Sequence, residues 1–308
     1  MSEVLSLEDK IHQRKSGIIL YGLTPPKINT EVDRIQLIAD KQIARLQNTN
    51  VDGLILYDIQ DESSRTEEPR PFPFLPTLTP DTYSNQYLQD LLIPKIIYKS
   101  VGKCNQEEFK QWLHADSEEL KFSVFVGSPS KTQKNNLSLN DAYTINKTSA
   151  SPVILGGVTI PERHDKKGDE HLRVIHKVEK GCQYFISQCV YNLNNSKNFL
   201  SDYYYSSQEK EMPLVPIIFT LTPCGSSKTL NFMEWLGIDI PKWLRNDLMH
   251  SQDILRSSVE ICKMVAEELL EFSNSKEIPI GFNIESVAIR KEEIDASIEL
   301  LRDVKNLM

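Results

Sequence analysis

The sequence predicts an α/β protein built as a single (β/α)8 TIM barrel, and three observations lead to this expectation. Eight short apolar runs, rich in β-branched and aromatic residues, recur along the 308 residues. The runs are apolar throughout rather than alternating, which is typical of parallel strands that are covered on both faces. Helical patterns separate the runs, and eight strands that alternate with helices match the element count of such a barrel.

The predicted strands are spread over the whole chain. They are the runs Gly17–Leu23, Asp52–Asp58, Pro94–Ser100, Lys121–Gly127, Pro152–Val158, Cys182–Gln188, Leu214–Leu221 and Ile278–Ile284. We therefore expect residues 1–308 to form one domain, with a charged, proline-rich loop at about 58–74 and a long polar loop plus a weak helix at about 128–151. The alternative is an open doubly wound sheet, but no GxGxxG fingerprint follows any of the runs.

The helices are predicted from apolar residues at helical spacing. One begins after Asp169 as its N-cap, carries its apolar residues on one face and stops at Gly181, between the fifth and sixth strands. Two others follow the first strand and precede the last one, and their apolar positions are Ile35, Leu37, Ile38, Ile43 and Leu46, and Val259, Ile261, Val265, Leu269 and Leu270.

Composition narrows the class of protein. The formal net charge of −8 argues against nucleic acid or an anionic membrane as the main partner. The first residues lack the apolar core of a signal peptide, and the longest apolar stretch, around Pro213–Cys224, is too short and too interrupted by proline to span a bilayer. Five cysteines without CxxC spacing indicate neither a disulfide framework nor a zinc ribbon. We expect a cytoplasmic protein with a small-molecule ligand. The composition is compatible with either a monomer or a homo-oligomer.

The carboxyl ends of the strands are where such barrels place their chemistry. Polar residues at these ends include Tyr57, Asp58, Ser128, Gln188 and Glu285. Gln188 closes an otherwise apolar strand, and its neutral amide has both a donor and an acceptor for a heteroaromatic ring. The alternative is that Gln188 caps the backbone of a neighbouring strand.

The segment between the fifth and sixth strands contains half of the six histidines. His164 and His171, with Glu162 as a third group, fit no common zinc-binding spacing, so we expect no metal site. Arg173, His176 and Lys177 share one helix face, which predicts either a solvated basic stripe or a phosphate contact.

Several motifs, in order, resemble the methylenetetrahydrofolate reductase family of flavin-dependent barrels. The similarity is strongest in three motifs and weaker in three others, namely PERH (Pro161–His164), HKVEKG (His176–Gly181) and ISQCVYN (Ile186–Asn192), then TPPK (Thr24–Lys27), PIIFTLTP (Pro216–Pro223) and IDIPKW (Ile238–Trp243). The resemblance implies bound FAD, NAD(P)H as electron donor and a folate-type substrate. It places His164 and Gln188 beside the flavin ring and Lys177 near its phosphates, with His176 where the family has arginine. With Tyr57, Ser128 and Arg173 these residues form the expected cofactor-binding set.

Two positions depart from the family pattern. Gly22 stands where the family has a glutamate that acts as an acid toward the folate, and Ser128 stands where it has an aspartate near the pterin. The strand-three histidine is also missing, with Ile96–Tyr98 in its place. We expect Glu285 or Asp58, at the ends of the strands that flank the first one, to supply the acid, so the expected catalytic set is Glu285, Asp58 and Gln188. The alternative is that Glu285 caps a loop or forms an ion pair with Arg290.

Three functions follow from this combination. The first is a flavin-dependent oxidoreductase of one-carbon metabolism, in which hydride passes from a nicotinamide through FAD to the folate. The second is a folate- or flavin-binding barrel without reductase turnover, and the third is a component of folate-linked methyl transfer. A flavin absorption spectrum would separate the first from the others.

Overall fold

A computed structural model describes residues 5–63, 66–115, 121–127 and 136–308. Its eight strands form a closed barrel in the order β1 to β8. All eight predicted strands are present, and the pairings β2–β3, β3–β4, β4–β5, β6–β7 and β7–β8 are parallel. The predicted (β/α)8 fold is therefore confirmed. The strands are β1 Ile18–Leu23, β2 Gly53–Leu56, β3 Lys95–Ser100, β4 Phe122–Val126, β5 Ile154–Thr159, β6 Tyr184–Cys189, β7 Ile217–Leu221 and β8 Ile280–Glu285.

The described helices follow the predicted pattern, with several additions in the second half of the chain. They are α1 Leu7–His12, α2 Val32–Leu46, α3 Pro80–Tyr87, α4 Gln106–Ala115, α5 Leu139–Thr148, α6 Pro161–Lys167, α7 Glu170–Glu179, α8 Leu193–Glu209, α9 Ser227–Trp235, α10 Lys242–His250, α11 Ile254–Asn274 and α12 Lys291–Leu307. The three helices predicted in detail correspond to α2, α7 and α11. Within the described residues, no helix is long and apolar enough to cross a membrane.

Side chains that bond the first turn explain where several helices begin. Ser6 and Asp9 form a reciprocal capping box at α1, and Thr79 caps α3 with Pro80 in its first turn. Ser226 and Asp253 cap α9 and α11 in the same way. Gly181, at φ 106°, follows α7 and turns the chain toward β6 in a conformation that other residues rarely adopt.

The described residues group into two compact units. The first contains the start of the chain with residues 158–179 and 183–308, and the second contains residues 22–157 with 180–182. The core of the first is rich in fully buried aromatic residues, including Tyr184, Phe185, Phe199, Tyr203, Phe219 and Phe282, and that of the second contains Tyr83, Phe109 and Phe125.

The pairing between β8 and the start of the first strand depends on one glycine. Gly17 N donates to the Ile280 carbonyl at 2.9 Å. A Cβ placed on the next residue, Gly281, would lie 2.3 Å from the Ile18 carbonyl oxygen, which no real structure tolerates. Gly281 is therefore required for this close approach of two strand backbones.

Candidate functional site

Glu162 is a buried acid at the end of β5. Pro161 begins α6 directly after the strand, and its fixed φ suits the first helical position. The next residue, Glu162, is only 4% exposed, and neither of its carboxylate oxygens has a hydrogen-bond partner among the described residues. Burial, with a smaller contribution from the nearby carboxylates of Asp239 and Glu170, raises its pKa to about 8, although its own backbone N–H lowers the pKa. Glu162 is therefore mostly a neutral acid at pH 7, able to donate a hydrogen bond.

Asp239 lies close enough to Glu162 to raise the pKa of Glu162. Two asparagine side chains hold the Asp239 carboxylate in place. Asn192 caps α8, and its Nδ2 donates to Asp239 Oδ2 at 2.6 Å. Asn195 Nδ2 donates to the same oxygen at 3.0 Å. In the described part of the chain both contacts use Oδ2, and the second oxygen of the half-buried carboxylate receives no hydrogen bond.

Gln188 ties the segment before Asp239 to the sixth strand. Its side-chain Nε2 donates to the Leu236 carbonyl at 2.9 Å. Leu236 follows α9 rather than belonging to a strand, so Gln188 caps backbone at the end of a helix. This contact positions residues 236–239 beside the end of β6.

Glu285 ends β8 and is half-buried. Burial is the main cause that raises the pKa of the Cys189 thiol. The neighbouring Cys262 raises this pKa next, followed by the carboxylates of Glu285 and Glu162. Both acids therefore lie near the last residue of β6. Arg290, the alternative ion-pair partner of Glu285, has its Nη1 3.8 Å from Glu293 Oε1.

Asp58, the other predicted acid, contacts the end of β3. Its Oδ2 accepts from Ser100 N at 2.8 Å, and its Oδ1 forms an ion pair with Lys103 Nζ at 2.6 Å. The neighbouring Tyr57 packs edge-on against Tyr98, with ring centroids 4.9 Å apart. Asp58 is thus engaged in a structural pair, and whether it acts as an acid stays a prediction. Ser128 lies outside the described residues.

The spacing of Arg173, His176 and Lys177 predicts that they share one face of α7, but the structure places them in two different environments. Arg173 pairs with Asp169 at 3.3 Å and His176 with Glu179 at 3.6 Å, both exposed on the surface. Lys177 is half-buried, and its Nζ donates to the Val158 carbonyl of β5 at 2.6 Å. The reason is that helix α7 packs its Lys177 edge against the barrel, so the aliphatic stem is covered while the ammonium reaches strand backbone.

His164 lies in a cluster formed by α6, α7 and α8. Its Nε2 is 3.0 Å from Asp202 Oδ2, and its ring is 5.1 Å from the ring of His171 in an edge-on arrangement. Both histidines are more than nine-tenths buried. Burial, followed by His164, lowers the pKa of His171.

The candidate site therefore consists of Glu162, Gln188, Asn192, Asp239 and Glu285 at the carboxyl ends of β5, β6 and β8. Asn195 belongs to it as a positioning residue. Sequence reasoning identified Gln188 and Glu285 from their places at strand ends. It did not single out Asp239, although this residue lies within the IDIPKW motif, because a lone aspartate between two isoleucines gives no signal of its own.

Two comparisons with known proteins give the family. The family model described as "Methylenetetrahydrofolate reductase" matches residues 143–275. A solved structure of a protein from Clostridium thermocellum is 51% identical over 98% of this chain and 100% of its own, with a TM-score of 0.87, and it is described as binding two copies of 5-methyl-5,6,7,8-tetrahydrofolic acid.

More distant structures share only the fold. A GH113 β-1,4-mannanase complex is 11% identical, with a TM-score of 0.50 over 92% of this chain and 98% of its own. A search of curated proteins gave no match. The matched region contains the three strongest motifs, PERH, HKVEKG and ISQCVYN, and the 51% identical structure covers the rest. The chain belongs to the methylenetetrahydrofolate reductase family.

Proposed function

We propose that the chain binds reduced folates of the 5-methyltetrahydrofolate class at the carboxyl ends of β5 to β8. The observation that carries this proposal is the relative from Clostridium thermocellum, which is described as binding that compound and is 51% identical over nearly the whole chain. Sequence identity at that level over one fold makes a shared ligand class the simplest expectation.

The hydrogen-bonding groups of the site suit a pterin ring. The ring has an amino group and ring N–H groups as donors, and a carboxylate oxygen has two lone pairs that can accept them. Asp239 is oriented for this by Asn192 and Asn195, which occupy only one of its oxygens. Glu162 adds a neutral acid that can donate to the carbonyl or ring-nitrogen acceptors of the ligand.

A ligand would also resolve the cost of burying Glu162. A buried polar group without a partner is unfavourable by about 1–3 kcal/mol, so native proteins rarely keep one without a use for it. Perturbed acids of this kind are frequent in binding and catalytic sites. Asp239 and Glu162 are therefore the two acids through which we propose that the chain holds a reduced folate.

Flavin-dependent reduction is the finer function that the family resemblance implies, and the side chains assigned to FAD do not fit that role here. Lys177 directs its ammonium at the Val158 carbonyl, and His164 pairs with Asp202. Arg173 and His176 are exposed and paired with acids. Lys177, Arg173 and His176 are all engaged with protein groups, so they do not form the cationic site that binds the phosphates of a flavin most strongly.

Isothermal titration of the purified chain with 5-methyltetrahydrofolate tests the proposal. We expect saturable binding to the wild type and roughly 10–100-fold weaker binding to Asp239→Asn, since the variant loses a charge-assisted contact worth about 1.5–3 kcal/mol. Asp247→Asn, at an exposed position on α10, is the matched control and should bind like the wild type.

The same preparation separates the two functions. Absence of folate binding by the wild type would refute the proposal. If the protein instead retains FAD, shows flavin absorption and reduces methylenetetrahydrofolate with NAD(P)H, flavin-dependent reduction is the better description. If Asp247→Asn weakens binding as much as Asp239→Asn, the ligand does not use Asp239.

A further inference from the structure

The cluster of His164, His171 and Asp202 has the composition of a transition-metal site. Two imidazoles and one carboxylate are the ligands that Zn²⁺ and similar divalent ions prefer, whereas Mg²⁺ and Ca²⁺ prefer oxygen alone. Each of the three residues offers one ligand atom, and these atoms all lie within 4.8 Å of one another. The spacing of His164 and His171, taken with Glu162, predicts no metal site, whereas the third ligand is Asp202, which lies on a separate helix.

The geometry of the cluster is close to that of a bound ion. Zinc–ligand bonds of about 2.0–2.1 Å in a tetrahedron place the ligand atoms roughly 3.3 Å apart. One edge, from His164 Nε2 to Asp202 Oδ2, measures 3.0 Å. Closing the remaining edges requires side-chain movements of about 1.5 Å or less.

The local fold brings the two histidines together. Gly168 ends α6 in the left-handed conformation, with φ 64°, and allows the chain to reverse directly into α7. Helices α6 and α7 both pack against α8, which contributes Asp202. Phe199, also on α8, covers the His164 ring at a centroid distance of 6.2 Å and keeps water from that side.

An unsatisfied nitrogen of His171 is the independent sign of a missing ligand. His164 and His171 are 6% and 8% exposed. Nδ1 of His171 is buried without a hydrogen-bond partner among the described residues, whereas His164 would bind the ion through Nε2, so its own unpartnered Nδ1 is not part of the site. Buried imidazole nitrogens normally bond to a protein group, an ordered water or a metal.

The carboxylate gives the cluster an opening to solvent. The Asp202 side chain is 55% exposed, while the two histidines form a buried wall behind it. A metal ion can therefore enter from the Asp202 side, and water can complete its coordination. Glu162, on the same helix as His164, interacts instead with Asp239 and Glu170, so this cluster and the folate site use different side chains.

We propose that His164, His171 and Asp202 bind one divalent transition-metal ion, with Zn²⁺ as the best match, in the cleft between α6, α7 and α8. This proposal does not depend on folate binding. The metal would join three consecutive helices on the outer side of β5 and β6 and would hold α6, with Glu162 in its first turn, against the barrel.

Metal titration of the whole chain tests the site. The protein is treated with chelator, dialysed against Zn²⁺ alone and analysed for bound zinc. We expect one equivalent per wild-type chain, and at least about 100-fold weaker affinity for Asp202→Asn and for His171→Asn, because loss of an outer-sphere partner alone already weakens metal sites 10–100-fold. Co²⁺ in place of Zn²⁺ should give the intense visible absorption of a tetrahedral site.

His176→Asn is the matched control, since His176 lies on the same helix as His171 but is exposed and outside the cluster. It should bind zinc like the wild type. Asp202 is exposed enough for its variant to keep the fold, which circular dichroism checks. A wild type that binds no stoichiometric zinc, or an Asp202→Asn, His171→Asn double variant of unchanged affinity, would overturn the proposal.

Discussion

Two buried glutamates on the consecutive helices α6 and α7 differ in the hydrogen bonds that their carboxylates accept. Glu170, at the start of α7, is 1% exposed, and its Oε1 accepts from Ile160 N at 2.8 Å and Thr159 Oγ1 at 3.3 Å. Glu162, at the start of α6, is nearly as buried but accepts no hydrogen bond in the described part of the chain. The first acid connects the end of β5 to α7, whereas the second is left with its bonding capacity unused.

The difference separates a structural acid from a candidate functional one. A buried carboxylate that receives backbone and hydroxyl donors stabilises the fold that surrounds it. A buried carboxyl without such donors destabilises the fold and is retained where it acts on something else. The contrast therefore supports Glu162, rather than Glu170, as a ligand-binding group.

The largest effect on stability is expected for the substitution Glu170→Ala. Replacing Glu170 by Ala leaves the buried Thr159 hydroxyl and the part-buried Ile160 N–H without their acceptor, so we expect the free energy of unfolding to fall by about 2–4 kcal/mol. Urea unfolding followed by circular dichroism measures this loss. Glu162→Ala removes the same atoms without breaking a hydrogen bond, so its free energy of unfolding should fall clearly less than that of Glu170→Ala. Equal losses in the two variants would remove the distinction between the acids.

A third buried glutamate gives an intermediate effect that depends on pH. Glu293 accepts from Thr229 Oγ1 at 3.2 and 3.4 Å, yet burial outweighs this bond and raises its pKa above 4.5. Arg290 lowers that pKa, while the neighbouring Glu292 raises it. The native state therefore binds more protons than the unfolded chain once the pH passes 4.5.

Stability should consequently fall as the pH rises from 4.5 to the native pKa of Glu293, by at most about 1.4 kcal/mol per pH unit, and then level off. Glu293→Gln should remove this part of the pH dependence and be more stable than the wild type at neutral pH. Urea unfolding at a series of pH values measures both. Parallel wild-type and variant profiles would show that Glu293 does not titrate as inferred.

The smallest expected effect is that of Glu162→Gln on stability. The amide is neutral and nearly the same size as the protonated acid, so the free energy of unfolding should rise at neutral pH, by less than about 1 kcal/mol. Thermal and urea unfolding without ligand check this. A loss as large as that of Glu170→Ala would mean that Glu162 has a structural partner after all.

Local patterns were enough to predict the fold. Continuous apolar runs specify buried strands, and helical spacing between a capping aspartate and a terminal glycine specifies α7, because both signals depend on residues close together in the chain. The polar residues Gln188 and Glu285 were found in the same way, since a strand end is a local feature. Family motifs added His164 and Lys177 but not their contacts.

The sequence by itself determined eight strands, their order and the family motifs around β5 and β6. Only the tertiary structure decided that Asn192 and Asp239 meet, that Lys177 bonds to Val158 and that His164 faces Asp202. The physical reason is that strand and helix patterns are local, whereas burial and hydrogen-bond partners depend on side chains brought together from distant segments. Whether a buried acid receives hydrogen bonds, as Glu170 does at its Oε1 and Glu162 does at neither oxygen, is a property of that packing alone.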